Sequence, residues 1–502
     1  MRIWNKYFHL ESGLWTGLVL FVLFLALLAY VQFATPDLTD NDGFYHIKFA
    51  EIMRLNGLKP DFPWLPLTIL NAREFYDHHF LFHIAQIPFT FGDLRLGAKL
   101  SAVLFASLAF LSVWWLLYQQ RIRYSALWAL GLVAVSEAFL YRMSIPRAQS
   151  LSLAVLVIGL HFLLRGRYIL LLPLSFAYVW LYDAFPLMLM VGGIFTVATW
   201  LIDRRWVLQP LLYIGLGITL GLLINPYFPD NLVFIARHLL PKLIETTKIS
   251  VGNEWYPYST GQLLDNSPLA LLVILSGVLA LGLNGKKMDT RTATSLFLTV
   301  FFGIMLFQSR RFIEYFPAFG LIFTAFAWQP LLEKYSPTGR RAGYFIPNLV
   351  VVSALTLGSL YTLRDARMSI QQSKPYSLYS GASLWLIANT IPGERIFQTD
   401  WDDFPRLFFY NTQNTYLIGL DPTYMQLFDS ELYEEWVKIT QGDVARPSAA
   451  IRDEFAANYV VSDLRHKDFI TRAAGDPGMV EMYRDAEAVI YKILPAVLSY
   501  RF

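Results

Sequence analysis

The sequence predicts a polytopic α-helical membrane protein with a small C-terminal α/β domain, and three observations predict it. First, 55% of the 502 residues are hydrophobic and only 16% are charged. The mean hydropathy is +0.41, too apolar for an ordinary soluble chain. Second, windows of roughly 17 to 25 apolar residues, long enough to cross a hydrocarbon core, recur about eleven times. They fall near 13–33, 97–118, 124–141, 148–164, 168–181, 184–202, 207–224, 267–283, 292–307, 312–331 and 344–363. Third, the composition turns soluble from about residue 364.

Arg2 and Lys6 precede the first apolar stretch, which ends in VQFATPD with no small-residue cleavage site, so it reads as a retained anchor. Every second connection after it is short and basic: Arg121 and Arg123, Arg165 and Arg167, Arg204 and Arg205, Lys286, Lys287 and Arg291, then Lys334, Arg340 and Arg341. That alternation marks the cytoplasmic face of an integral plasma membrane protein, with a cytoplasmic N-terminus and an extracytoplasmic C-terminal domain. The expected division is 1–363, a transmembrane domain with external loops 34–96 and 225–266, and 364–502, a soluble domain.

Within 168–202 only Asp183 and Pro186 interrupt the apolar run, and YDAFP reads as an external turn in preference to an intramembrane acid. In the loop 225–266, LVFIARHLLPKLIETTKI has the spacing of a helix lying along the membrane surface. In the tail, RIFQT, TYLIG, YVVSDL and AVIYKIL read as strands alternating with helices. With no cysteine, disulfides and thiolate metal sites are excluded, and a dispersed net charge of +3 gives no basis for a nucleic-acid partner.

The candidate chemistry gathers on the side opposite the basic connections. TDNDGFYHIKFAEIMRLNG places Asp40 and Asp42 at a membrane surface, and EFYDHHFLFH offers Asp77, His78 and His79. Asp42, Asp77 and His79 suit a partial shell around Mg2+ or Mn2+, hard cations that prefer carboxylate oxygens and accept imidazole. Capping of the helix that begins near Phe44 is the competing reading for Asp42.

Arg142 and Arg147 in EAFLYRMSIPRAQS, and Arg310 and Arg311 in QSRRFIEYFPAF, stand against the charge rule. A guanidinium fork there fits phosphate oxygens; the alternatives are snorkelling to headgroups for the first pair and a helical pair with Glu314 for the second. Glu254, beside Trp255 and Tyr256, reads as an acid near a carbohydrate or acceptor, or as a solvated loop residue. TDWDDFP follows a predicted strand, where α/β folds present ligand sites. Nucleotide sugars and ATP are cytoplasmic, so a transferase working outside needs an activated donor delivered on a lipid.

Here the residues resemble a known family. NDGFYHIKFAE is similar to the first acidic motif of oligosaccharyltransferase catalytic subunits, members of the GT-C glycosyltransferase superfamily, and YDHH resembles the second motif of their archaeal relatives. The resemblance implies a GT-C type fold, with Asp42 as metal ligand and catalytic carboxylate and Asp77 and His79 as metal ligands. It implies Glu254 beside the metal or acceptor as a second catalytic acid, and Arg310 or Arg311 on the donor phosphate. TDWDDFP falls where the family has Trp-Trp-Asp-x-Gly, which implies acceptor binding by Trp401 and Asp402. Asp400 and Phe404 depart from that motif, so recognition of the family's acceptor sequon is left open.

The expected function is transfer of a sugar or oligosaccharide from a polyprenyl phosphate or pyrophosphate carrier to a protein, glycan or lipid acceptor, with membrane lipids around the body. The rival is a transporter or flippase, which calls for polar or broken helices near the midplane; ionisable residues are scarce within these windows.

Overall fold

The computed structural model describes residues 2–239, 241, 252–285, 287–334 and 345–495, with backbone alone for 2–12 and 345–348. Part of the expected surface helix in LVFIARHLLPKLIETTKI, together with Lys286, Arg340 and Arg341, lies outside the described residues.

Each predicted apolar window contains a helix: Arg2–Gln32, Leu94–Gln119, Ser125–Ala134 with Glu137–Met143, Gln149–Leu164, Leu171–Leu181, Pro186–Asp203, Gln209–Leu223, Pro268–Asn284, Thr290–Leu306, Phe316–Lys334 and Phe345–Gln371. Among the described residues four helices are long and apolar enough to cross a membrane, or up to six if two bent pairs each count as one crossing. Leu94–Gln119 is the clearest. Its 26 residues reach about 39 Å at 1.5 Å per residue, and Asp93 caps it by accepting from the Leu96 amide. Leu272, Leu283, Val350 and Leu357 point outward and are exposed, as a lipid-facing surface requires.

Two bends distinguish the fold from the simple spans predicted. The window 124–141 breaks at Ser136, where Ser125–Ala134 and Glu137–Met143 meet at 92°. Ser136 is extended and its hydroxyl accepts from the Phe139 amide, starting a new helix in a new direction. The second bend, of 93°, joins Thr260–Asn266 to Pro268–Asn284, with Pro268 opening the new helix. Ser136 Oγ and Ser267 Oγ lie 2.7 Å apart, so the two elbows are tied together. Close packing elsewhere rests on small residues. Gly217 and Gly221, one turn apart, let Gln209–Leu223 lie against Leu171–Leu181, and a Cβ at Gly217 would run into the Leu172 carbonyl.

The C-terminal part forms a five-stranded mixed sheet. Its strands are β1 (Arg395–Gln398), β2 (Thr415–Tyr416), β3 (Tyr459–Asp463), β4 (Met479–Arg484) and β5 (Ala488–Ile493), in spatial order β2-β1-β3-β5-β4. β1 runs parallel to β2 and β3, whereas β5 is antiparallel to both β3 and β4. Four of these strands match the predicted runs. β4 was not anticipated, because this edge strand pairs on one side only and keeps Glu481 and Arg484 exposed.

The sheet region packs on the first loop through an aromatic core that joins Tyr45, Phe62, Trp64 and Phe75 to Phe404, Phe408 and Tyr416. Backbone bonds fix the register: the Tyr416 amide donates to the Trp64 carbonyl (2.8 Å) and the Ile69 amide to the Tyr424 carbonyl (3.1 Å). Arg406 is buried at this seam. It donates to Asn41 Oδ1 (2.8 Å) and to the Pro375 carbonyl (2.7 Å), and lies over the Phe44 ring.

Candidate active site

A polar cavity of about 950 Å3 opens where the start of helix Asp42–Asn56, the elbow segment 137–147, the segment 252–258, the turn 310–313 and the loop after β1 converge. It is lined by Asp42, His79, Arg142, Arg147, Glu254, Arg310, Arg311, Trp401 and Asp402, and also by Asp40, His46, His78 and Asp183. The size suits a small-molecule site. Asp183 does lie in a turn, between helices Leu171–Leu181 and Pro186–Asp203, as predicted.

Arg147 is the hub. It contacts Asp40 Oδ2 at 3.0 Å, Asp42 Oδ2 at 2.8 Å and Glu254 Oε2 at 3.0 Å. Asp42 opens its helix, and the N-cap residue Asn41 makes no side-chain cap bond, so the carboxylate is spent on the arginine. It also gains from the positive end of the helix dipole. Asp40 has φ 73°, a left-handed turn that aspartate tolerates better than most residues; the turn brings both acids to one guanidinium.

Arg142 donates from Nη1 to Glu254 Oε2 (2.8 Å) and from Nε to Glu314 Oε1 (2.8 Å). Glu314, buried outside the lining, therefore pairs with Arg142, and the alternative of a helical tie to Arg310 or Arg311 is not what forms. Arg311 donates to the Tyr182 hydroxyl (2.9 Å), approaches Glu254 Oε1 at 3.6 Å and lies over the Trp255 ring. Arg310 donates to the Pro257 carbonyl at 3.3 Å.

This packing sets the charges. Burial pushes the Asp42 carboxyl up to about 6, outweighing the opposing pull of Arg147. Burial alone would raise Glu254 too, but Arg147, Arg311 and Arg142 together hold it well below the ordinary carboxylate range. One cavity thus holds a permanent anion and a carboxyl that changes charge near neutral pH. Asp402 is pushed to about 7 by burial and by Asp42, Asp40 and Asp400. Its carboxylate and carbonyl both accept from Asn41 Nδ2, at 2.7 and 3.1 Å, which links the sheet region to the residue before Asp42.

A buried chain stands behind the lining. Asp77 Oδ2 lies 2.8 Å from His83 Nδ1, and His83 Nε2 lies 2.8 Å from His46 Nδ1. A carboxylate can only accept, so His83 donates from Nδ1 and accepts at Nε2, and His46 donates from Nδ1. The free Nε2 of His46 is then an acceptor at a cavity-lining residue. Burial first, then His83, Arg147 and His78, lower the pKa of His46 well below its usual value and keep the ring neutral. The sequence reading missed this role of His46 and His83. Spacing carries the signal: Asp42 with His46, and His79 with His83, are each one helical turn apart.

No known family profile matches the chain, and no curated protein matches it in sequence. Solved structures do match. The apo oligosaccharyltransferase of Archaeoglobus fulgidus superposes with a TM-score of 0.67 at 14% identity, over 96% of this chain and 75% of that one. ArnT from Cupriavidus metallidurans bound to undecaprenyl phosphate gives 0.58 at 14% identity, over 94% and 97%. The mycobacterial arabinofuranosyltransferase AftD gives 0.58 at 14% identity, over 95% of this chain and 40% of its own. The chain shares the fold of these three proteins.

A divalent cation is the cofactor this GT-C resemblance implies. Among the described residues, Asp400, Asp403 and Asp463 form the set that could hold one, with ligand atoms within 4.8 Å of one another. The predicted trio of Asp42, Asp77 and His79 forms no such set, and Asp77 is the correction. It is 2% exposed and does not line the cavity. Its Oδ1 accepts from the His79 amide and its Oδ2 faces His83. It braces histidines because the turn before helix Phe80–Gln86 aims the carboxylate inward. Asp42 and His79 do reach the cavity, but Arg147 already occupies the carboxylate side of it. As arranged, Asp42, Asp77 and His79 do not fit a divalent ion.

Proposed function

We propose that this protein transfers a sugar or oligosaccharide from a polyprenyl phosphate or pyrophosphate carrier to an acceptor on the non-cytoplasmic face. The observation that carries the reading is the convergence, within a GT-C fold, of four arginines and two perturbed carboxyls on one cavity. A structural relative bound to undecaprenyl phosphate supports a lipid phosphate as the donor group.

Arg310 and Arg311, with Arg142 and Arg147 behind them, hold the carrier phosphate and neutralise charge as it leaves. Asp42, anionic above a pH of about 6, accepts the proton of the acceptor nucleophile. The nucleophile bonds to the anomeric carbon as the sugar–phosphate bond breaks, and the phosphate departs with the electron pair. Glu254 holds the arginines in place, and Trp401 and Asp402 receive the acceptor from the sheet side. We assign residues 1–363, with about eleven membrane crossings, to the transferase body and 364–502 to an extracytoplasmic domain over it. The N-terminus is then cytoplasmic.

The test is to incubate membranes containing the protein with a radiolabelled polyprenyl-phosphate sugar and follow the label. Label that moves from carrier to acceptor in the wild type and stays on the carrier in Asp42→Ala supports the reading. Full transfer by that variant would sink it.

A further inference from the structure

The carboxylates that face one another across this cavity already share a cation, and the cation belongs to the chain. Arg147 presents Nη1 to Asp40 and Glu254 and Nη2 to Asp42, at 2.8 to 3.0 Å, with a longer bond of 3.3 Å from Nη2 to Glu254 Oε1. Three acids from two distant parts of the chain thus converge on one planar fork whose side chain is 13% exposed.

A second, independent feature holds the fork there. The segment 144–148 turns tightly, the Arg147 amide donating to the Ile145 carbonyl at 2.8 Å, and Pro146 presses on the first turn of helix Asp42–Asn56 at Gly43. A Cβ at Gly43 would collide with the Pro146 ring, so the absence of a side chain at 43 is what lets residue 147 reach residue 42. The backbone is shaped to deliver this arginine to this carboxylate.

We propose that the Arg147 guanidinium occupies the position a divalent cation would take between Asp42 and Glu254, and that the reaction runs without a divalent metal. The inference rests on the transferase reading above and specifies its source of positive charge. Mg2+ or Mn2+ needs several oxygen ligands close around it, and the oxygens best placed to supply them are bonded to Arg147. A metal there would also sit against Arg142 and Arg311, which flank Glu254, at the cost of like-charge repulsion. The guanidinium carries one fixed charge, cannot be chelated away, and offers donors matched to phosphate oxygens.

Two readouts on the full-length, detergent-purified protein test this. In the first, Mn2+ alone is titrated and followed by electron paramagnetic resonance, wild type against Asp42→Asn. The expected result is no Mn2+ binding that depends on Asp42; binding that survives the substitution lies elsewhere and agrees with the proposal. Stoichiometric Mn2+ binding abolished by Asp42→Asn would overturn it. In the second, transfer is assayed with and without excess EDTA, and rates within about twofold are expected. A loss of tenfold or more, restored by Mn2+ or Mg2+, overturns this inference and leaves the transferase reading standing. Absence of transfer in every condition instead sinks the transferase reading, and the Mn2+ titration still decides the occupant of the cluster.

Discussion

Two acidic clusters in this molecule are built alike and sit in different surroundings. In the cavity, Asp40, Asp42 and Glu254 surround Arg147; beside the sheet, Asp400, Asp403 and Asp463 surround Arg465, which reaches Asp400 at 3.0 Å and also pairs with Asp463. The side chain of Arg147 is 13% exposed and that of Arg465 58%. Arg147 has two further arginines beside its shared acid, Arg142 and Arg311. Asp463, despite its burial, is held at about 2 by His466 and Arg465, while burial and the neighbouring Asp400 and Asp463 drive Asp403 well up. The sheet cluster is a latch after β3 that buries Asp403 and Asp463 and leaves its arginine in solvent, whereas the cavity cluster packs its arginine inward and opens its acids, 22–28% exposed, to the cavity.

Substitutions should separate the clusters, and the largest effect belongs to Arg147. Arg147→Met leaves Asp40, Asp42 and Glu254, each 22–28% exposed, facing one another, and the cost is bounded above by the roughly 3–5 kcal/mol of breaking a fully buried pair from one side. Thermal unfolding in detergent should show that drop, with transfer abolished; a melting curve unchanged from wild type would make the hub no different from the latch. Next is Arg311→Ala, which removes a donor of the phosphate charge and should lower kcat by roughly 10²–10³, the range seen for single preorganised donors, with a small change in melting temperature.

The pH profile gives a smaller, graded signal. Asp42 is raised to about 6, so it is neutral below that pH and anionic above it. The rate should therefore rise with pH through about 6, and Asp42→Asn should remove both the activity and that limb. A rate that falls over the same interval contradicts a base at this position. The smallest effect is expected for Arg465→Ala. Arg465 is 58% exposed and does not line the cavity, so transfer should stay within twofold. A tenfold loss there would move the catalytic centre to the sheet.

The contrast also shows what a sequence displays and what it hides. The apolar windows were legible because hydropathy is local, and each holds a helix. Arg142, Arg147, Arg310 and Arg311 stood out against the charge rule, Asp42 and Glu254 as acids on the external side, and Trp401 and Asp402 through the motif after β1; the fold gathers all eight around one cavity. The elbow at Ser136 was hidden, since a helix that turns by about 90° keeps the same apolar composition, and the one at Ser267 because Thr260–Asn266 fell within the expected external loop. Asp77 was misplaced for a related reason: a carboxylate beside histidines reads the same whether it faces a cavity or braces His83 from behind. The aromatic seam between the first loop and the sheet, which sets Asn41 against Asp402, depends on contacts more than 300 residues apart.

The most direct measurement is transfer of label from a polyprenyl-phosphate sugar by wild type, Asp42→Ala and Arg465→Ala proteins, compared at matched amounts of folded protein. Transfer by the wild type and Arg465→Ala, with none by Asp42→Ala, is the result predicted for catalysis at the arginine and carboxylate cavity. Equal transfer by all three, or loss only in Arg465→Ala, would contradict it.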